Sequence, residues 1–146
     1  MAIRLVLVDD HAAFRGYFAT LLGQQPDIVV VGHAAESDSL LRLIGALNPD
    51  QAPDLLLVDV EMPGGGGTAV VRAALALHPA LRVLALSMHD EPAFIFAMMA
   101  AGAHGYVLKD DSLADIVTAI REVAGGRHFF SASLGNMEVT SPHGAD

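Results

Sequence analysis

Short runs of apolar residues alternate along the chain with stretches in which apolar side chains recur every three or four positions. A continuous apolar run of about four to eight residues is typical of a strand buried on both faces, and the longer recurrence is typical of an amphipathic helix. The predicted strands are residues 3–8, 28–34, 55–58, 81–87 and 105–109. A helical stretch follows each of them, so the pattern predicts five successive β-α units.

Capping residues predict where several of the helices begin. We expect Ser37, Thr68 and Ser112 to be the N-caps of the second, third and fifth helices, because a hydroxyl oxygen can accept a hydrogen bond from the first helical turn. Asp115 lies three residues after Ser112, as in a capping box.

Five β-α units predict an α/β fold in which helices cover both faces of a parallel sheet. Right-handed crossovers leave few topologies, and a doubly wound five-stranded sheet is the commonest for a chain of this length. Residues 127–146 show no clear period, and we interpret them as a tail or the start of a linker.

Composition narrows the classes of function. Of the 146 residues, 53% are hydrophobic, which is sufficient for one packed domain. The net charge of −9 and the scattering of the eight Lys and Arg residues argue against nucleic acid binding by this surface. The lack of cysteine excludes disulfides and thiolate metal sites, and the seven dispersed histidines do not predict a zinc site. No apolar run reaches the roughly 18 residues of a membrane span, and no signal peptide pattern is present, so we expect a cytoplasmic protein without a membrane partner.

Polar side chains stand at the ends of four predicted strands. Asp9 and Asp10 follow the first strand, Asp59 follows the third, Ser87 ends the fourth and Lys109 ends the fifth. Ligands of such folds bind beyond the carboxyl ends of the strands, so we expect these groups to converge. Three carboxylates require a cation, and oxygen donors without Cys or clustered His favour Mg²⁺. With an amine and a hydroxyl the set is typical of phosphoryl binding, and a free carboxylate can form an aspartyl phosphate.

Four glycines follow Asp59, at residues 64–67. Their spacing matches neither of the common nucleotide-binding loops, GxxxxGK[ST] and GxGxxG. We expect them to keep the loop small and adaptable, so that the site stays open to a large phosphodonor.

Four stretches, LVLVDDHAAFR, LLLVDVEMPG, VLALS and AGAHGYVLKD, resemble in order and spacing the motifs of the response-regulator receiver domain of two-component signalling. The DDH and GYVLKD details resemble its NarL/FixJ-like subfamily. The resemblance implies a flavodoxin-like (βα)5 receiver domain in residues 1–126, with strand order 2-1-3-4-5. It also implies Mg²⁺ as cofactor and a sensor histidine kinase as partner. The output would be a changed self-association, with a possible homodimer, or control of transcription through a C-terminal DNA-binding domain that we do not expect in this chain.

The resemblance assigns a role to each of the converging groups. Asp59 is the expected phosphoacceptor and a metal ligand, Asp10 the direct ligand of magnesium, and Asp9 the acid that holds the metal through water. Lys109 is expected to pair with the phosphoryl group, and Ser87 to be the switch hydroxyl.

Three further roles come from the same resemblance. The backbone carbonyl of Glu61 is the expected third protein ligand of the metal, the backbone N–H of Met88 is expected to face the phosphoryl oxygens, and Tyr106 is expected to change rotamer with the switch hydroxyl. Asp110 departs from the pattern, because many receivers have proline after the lysine, but we expect competence to be retained. His89 is expected at the mouth of the site, where it or Glu61 could influence attacking water; a solvent-exposed side chain is the alternative.

The fourth predicted helix has no charged or strongly polar side chain between residues 92 and 103. A surface helix normally has a polar face, so we predict that this one contributes to a protein interface. The candidate interface residues are Phe94, Phe96, Met98 and Met99. The alternative is a tail that folds back over the helix through Phe129 and Phe130.

Two other classes of function remain open at this point. A magnesium-dependent phosphatase that forms an aspartyl phosphate would need an acid two residues after the nucleophile, and Glu61 occupies that offset without the usual DxDxT-like context. A domain of this fold could also act only as an interaction module, without phosphorylation. The intact set of Asp and Lys residues argues against this last class.

Overall fold

The computed structural model describes residues 2–62 and 66–134. Two of the four predicted loop glycines, Gly64 and Gly65, lie outside the described residues, as does the part of the predicted tail from 135 to 146. The strands are β1 (Ile3–Val8), β2 (Ile28–Ala34), β3 (Leu55–Asp59), β4 (Arg82–Ser87), β5 (Gly105–Leu108) and β6 (Phe129–Phe130). The helices are α1 (Ala12–Gly23), α2 (Ser37–Ala46), α3 (Gly66–Leu77), α4 (Pro92–Ala101) and α5 (Leu113–Ala124).

All neighbouring strands are parallel, and the sheet has the order β2-β1-β3-β4-β5-β6. The predicted α/β class and the order 2-1-3-4-5 are confirmed, but the count of five strands was one too few. The sixth strand, Phe129–Phe130, comes from residues that the sequence pattern assigned to the tail, and it pairs with Gly105 and Tyr106 of β5. Gly105 permits this pairing, because a side chain there would collide with the carbonyl oxygen of Phe129.

The side chains of each strand alternate between two hydrophobic clusters, one on each face of the sheet. In β1, Val6 and Val8 point to the face covered by α2, α3 and α4, while Leu5 and Leu7 point to the face covered by α1 and α5. All four are fully buried. A buried aliphatic side chain of this size contributes about 1.5 to 3 kcal/mol, so the central strands, and the residues that follow them, are held firmly in place.

The predicted caps are right for one helix and wrong for two. Ser112 is the N-cap of α5, and its Oγ accepts a hydrogen bond from the backbone N–H of Asp115 at 3.1 Å. At α2 the N-cap is Glu36, one residue before Ser37, and the backbone N–H of Glu36 donates to Ser39 Oγ at 3.2 Å. Thr68 lies within the first turn of α3, because that helix begins at Gly66.

The apolar helix α4 buries most of its large side chains in its own domain. Met98 and Met99 are at most 1% exposed, so the prediction that they contribute to an interface is wrong. Phe96 is 44% exposed and remains available to a partner. Phe130 packs against the same core cluster as α4, whereas Phe129 packs against the cluster on the opposite face. Within the described residues, no helix is long and apolar enough to cross a membrane.

Candidate functional site

Hydrogen bonds between neighbouring strands continue for one residue beyond the strand ends and fix the start of each following loop. The backbone N–H of Asp9 donates to Ala34 O at 3.0 Å, and that of Lys109 donates to Ser87 O at 2.8 Å. Similarly, the residue after Asp59 is bonded to β4. The sheet therefore places the polar side chains at the end of β3 and just after β1 and β5 at one edge.

Lys109 joins the acids of β1 and β3. Its Nζ lies 2.8 Å from Asp9 Oδ2 and 3.6 Å from Asp59 Oδ2, and all three side chains are at least nine-tenths buried. The ammonium group also lies 4.4 Å from the centroid of the Phe14 ring, a contact that stabilises a partly desolvated cation. The structure thus brings together the three groups that the sequence placed more than 40 residues apart from one another.

Asp10 and His11 complete the cluster on its solvent side. The Nδ1 atom of His11 is 3.2 Å from Asp9 Oδ1, 3.4 Å from Asp10 Oδ1 and 3.9 Å from Asp59 Oδ2. No role was predicted for His11 from the sequence. Its position directly after two consecutive acids was the one available signal, because a side chain there starts next to both carboxylates.

Asp59 is a buried acid whose charge is incompletely balanced. Its Oδ1 accepts a hydrogen bond from the backbone N–H of Glu61 at 3.2 Å, whereas its Oδ2 is buried without a hydrogen-bond donor. Burial, followed by the charge of Asp9, raises the pKa of Asp59 to about 6, although Lys109 opposes this shift. The carboxyl group is therefore mainly ionised at neutral pH and needs a further positive partner.

The glycine run allows the loop after β3 to turn close to the phosphoacceptor candidate. Gly66 has a φ of 71°, a left-handed conformation that glycine adopts without strain. A side chain on Gly67 would collide with the backbone carbonyl of Asp59, and the Gly67 N–H donates to Val60 O at 2.9 Å. At these two positions glycine is needed because the loop backbone turns tightly and passes close to the backbone of β3. From the sequence we had expected only that the glycines keep the loop small and adaptable.

The predicted switch pair lies beside the acids and is linked through one loop. Ser87 is buried, and its Oγ accepts the backbone N–H of His89 at 2.9 Å. Tyr106 is fully buried and donates its hydroxyl to His89 O at 2.7 Å, so its ring is in the inward position in this structure. Burial raises the pKa of Tyr106 to about 12, which keeps the hydroxyl protonated as a donor. The side chain of Met88 is exposed, and the predicted role of its backbone N–H stays a prediction.

His89 bridges two loops at the mouth of the site. Its Nε2 is 2.9 Å from Glu61 Oε2 and its Nδ1 is 3.3 Å from Glu91 Oε2, while its ring stacks on Phe94 with centroids 4.2 Å apart. The Glu61 carboxylate is the main cause that raises the pKa of His89 above its ordinary 6.5. These contacts hold the His89 side chain between two carboxylates and an aromatic ring, so it is not the freely solvent-exposed side chain of the alternative. Whether its side chain influences attacking water stays a prediction, as does the backbone ligand role of Glu61.

An open cleft of about 560 Å³ leads from solvent to this edge of the sheet. Residues from both the β1–α1 and β3–α3 loops line it, among them Asp10, His11, Glu61 and Met62. Its size is within the range of small-ligand sites, and two of its lining residues, Val60 and Glu61, directly follow the buried Asp59.

The donors beside the cleft fit a divalent cation. Asp9, Asp10, His11 and Asp59 each offer one donor atom, and these four atoms lie within 4.8 Å of one another. The unpartnered Oδ2 of Asp59 is one atom that a cation would satisfy. Carboxylate oxygens are the donors that Mg²⁺ prefers, so the site fits the ion that the sequence predicted.

Comparisons with known proteins show which family this chain resembles in sequence and fold. The sequence model of the response regulator receiver domain matches residues 5–121. The probable transcriptional regulatory protein NarL of Mycobacterium tuberculosis is 37% identical over 132 residues, which cover 90% of this chain and 59% of that protein. Response regulator GacA of Pseudomonas viridiflava is 36% identical over 132 residues, with 90% and 60% covered. A crystal structure of a LuxR-family two-component response regulator from Aurantimonas sp. SI85-9A1 has a TM-score of 0.83 and 33% identity, covering 92% of this chain and 93% of that chain.

This chain spans about three fifths of the length of those two curated relatives. The family match nevertheless covers far more than half of the chain and includes every strand end that carries a converging acid, the lysine or the switch hydroxyl. The chain therefore belongs to the receiver domain family of two-component response regulators.

Proposed function

We propose that Asp59 accepts a phosphoryl group from a sensor histidine kinase in a Mg²⁺-dependent reaction. The observation that carries this proposal is the Asp59 carboxylate, whose buried Oδ2 has no hydrogen-bond donor and lies 3.6 Å from Lys109 Nζ, directly before the cleft residues Val60 and Glu61. An ionised carboxylate with a free oxygen and an adjacent fixed cation is suited to attack phosphorus.

In the proposed transfer, an oxygen of Asp59 forms a bond to phosphorus while the bond from phosphorus to the phosphohistidine nitrogen breaks. The imidazole nitrogen leaves with the electron pair. Asp9, Asp10 and Asp59 would hold the magnesium ion, together with the Glu61 backbone carbonyl. When bound, the ion supplies positive charge that offsets the charge on the transferred oxygens.

Lys109 contributes a second positive charge from a fixed position. Its pairing with Asp9 at 2.8 Å holds Nζ beside the Asp59 carboxylate before the phosphoryl group arrives, so little reorganisation is needed. Ser87 lies one strand away, with its hydroxyl accepting from the His89 N–H. We propose that this hydroxyl turns to donate to the phosphoryl group and that the Met88 N–H adds a backbone donor. The rotamer change predicted for Tyr106 would then favour the inward position that its ring has in this structure.

The phosphatase alternative has no comparable support. It requires the Glu61 carboxylate to act as an acid or base at the phosphoryl group, and that carboxylate is engaged by His89 at 2.9 Å. The Asp and Lys set is intact, so the structure does not favour a phosphorylation-independent module either.

Magnesium dependence is the direct test of this proposal. On incubation with Mg²⁺ and acetyl phosphate, the chain is expected to gain the mass of one phosphoryl group, and hydroxylamine is expected to remove it as it does other acyl phosphates. Replacement of Mg²⁺ by EDTA is expected to prevent the gain, because the acids then repel the incoming phosphate. Intact mass spectrometry measures both. Absence of any gain with Mg²⁺, or an equal gain in EDTA, would contradict the proposal.

We propose that phosphorylation controls transcription through a DNA-binding output domain, since the curated relatives are named as transcriptional regulators and response regulators. The described residues contain the receiver fold alone, so DNA contact is not proposed for this surface. A cytoplasmic location is proposed from membership of the receiver domain family. A reporter gene fused to a candidate promoter, compared with and without phosphodonor, would measure the output.

A homodimer that uses the exposed ring of Phe96 on α4 is also proposed. Phe96→Ala is expected to raise the dimer dissociation constant of the phosphorylated chain about tenfold, the effect of losing about 1.4 kcal/mol of contact. Tyr17→Ala is the matched control, because Tyr17 is 66% exposed on another helix, α1. Sedimentation velocity gives both constants. If only Tyr17→Ala weakened the dimer, the contact would lie on α1, and the assignment to α4 would be wrong.

A further inference from the structure

The imidazole of His11 enters the acidic cluster at a position from which it can bind the same ion as the carboxylates. The His11 backbone N–H donates to Asp9 Oδ1 at 2.8 Å, which fixes where the side chain begins. Its Nδ1 then lies 3.2 to 3.9 Å from one oxygen of each of Asp9, Asp10 and Asp59.

These separations also fit atoms that share a metal, although in this structure the shortest of them, from His11 Nδ1 to Asp9 Oδ1, is a hydrogen bond. Two donors about 2.1 Å from one ion are about 3.0 Å apart at a right angle, about 3.4 Å apart at the tetrahedral angle and about 4.2 Å apart when opposite. All three distances from His11 Nδ1 to the carboxylate oxygens fall within that range.

A second observation points to a ligand between these groups. Asp59 Oδ2 is buried and has no hydrogen-bond donor, and it is the carboxylate oxygen that lies 3.9 Å from His11 Nδ1. An ion between the two atoms would coordinate this buried oxygen, in addition to the Lys109 Nζ that lies 3.6 Å away.

We propose that His11 is a metal ligand that gives this site a preference for borderline divalent ions such as Co²⁺ and Zn²⁺. Mg²⁺ prefers oxygen donors and retains water, whereas imidazole nitrogen is a good ligand for the later transition metals. Three carboxylates alone would not provide this nitrogen donor. The inference rests on the proposed function only in that the same acids hold the ion; it adds the contribution of His11. From the sequence we expected oxygen donors alone, because the histidines are not clustered. A single histidine beside the acids was not taken into account there, and the proposal adds its nitrogen to the donors.

Co²⁺ is the probe for this proposal, because a bound imidazole gives strongly shifted ring-proton signals in the NMR spectrum of the Co²⁺-loaded chain. In wild type, one such signal is expected, and His11→Gln is expected to remove it. His11→Gln is also expected to lower the affinity for Co²⁺ at least about tenfold, since even indirect changes near metal ligands cost 10- to 100-fold, and to lower that for Mg²⁺ less than about threefold. Calorimetric titration measures both affinities.

His78→Gln is the matched control, because His78 is exposed in the loop after α3 and is not among the donors of the cluster. It is expected to change neither affinity nor the shifted signal. An equal loss of Co²⁺ and Mg²⁺ affinity in His11→Gln, an unchanged Co²⁺ affinity, or survival of the signal in that variant would each overturn the proposal.

The proposal and the proposed function fail in different ways. If Mg²⁺ supports phosphorylation while His11→Gln binds Co²⁺ as wild type does, only the role of His11 is wrong. If wild type binds neither ion, both the role of His11 and the metal requirement of phosphorylation are wrong.

Discussion

Asp59→Asn is expected to abolish the gain of a phosphoryl group from acetyl phosphate in the presence of Mg²⁺. The amide keeps the size of the side chain and can still accept the Glu61 N–H through its oxygen. It lacks the anionic oxygen that would attack phosphorus, so the loss should be complete although the fold is kept. Intact mass spectrometry is the measurement, and circular dichroism confirms folding.

Asp90→Asn is the matched control for this loss, because Asp90 is an exposed acid in the loop between β4 and α4. It should be phosphorylated to the same extent as wild type. A phosphoryl group on Asp59→Asn, located by peptide mapping to another acid, would show that Asp59 is not the acceptor.

Asp59→Asn is also expected to raise the free energy of unfolding in metal-free buffer at pH 7 to 8, by on the order of 2 to 3 kcal/mol. The pKa of Asp59 is raised from its ordinary 3.8 to about 6, mainly by burial, so the folded chain holds this proton more tightly than the unfolded chain does. Ionised Asp59 therefore costs stability, and the cost is fully present above about pH 6. It fades as the pH falls from about 6 to about 4, where the group is protonated in the folded state and then in both states.

Urea unfolding between pH 4 and pH 8, with EDTA present, measures this difference. The gap between Asp59→Asn and wild type should close towards pH 4, and Asp90→Asn should stay within about 0.5 kcal/mol of wild type, as exposed substitutions usually do. Mg²⁺ should stabilise wild type more than Asp59→Asn. A gap that is constant with pH, or an Asp59→Asn variant less stable than wild type at pH 8, would contradict the proposed cause.

The convergence of Asp9, Asp59 and Lys109 could be predicted from the sequence because the sheet does most of the positioning. Each of these residues follows a continuous apolar run, and parallel strands end at a common edge. The distances between the side chains, and the identity of the unpartnered oxygen, could not be predicted. They depend on rotamers that the apolar pattern does not encode.

Other features were predicted poorly for reasons that differ from residue to residue. Ser37 and Ser39 both lie in the first turn of α2, and the sequence pattern could not show that Glu36 is the cap and that Ser39 completes the capping box. In α4 every side chain is apolar, so the sequence pattern does not show which face of the helix is buried. For this reason Met98 could not be distinguished from Phe96 as the buried residue. The two-residue strand β6 is too short to show a period.

The short strand β6 determines where the C-terminal boundary of an expressed fragment should lie. The backbone N–H of Ser131 donates to Tyr106 O at 3.0 Å, and Leu134 packs on the core beyond it. A fragment ended at residue 126 would leave the backbone of β5 unpaired along the flank of the sheet, where another molecule could add a strand and precipitate the sample. A fragment that stays folded and in solution should therefore extend to at least Leu134.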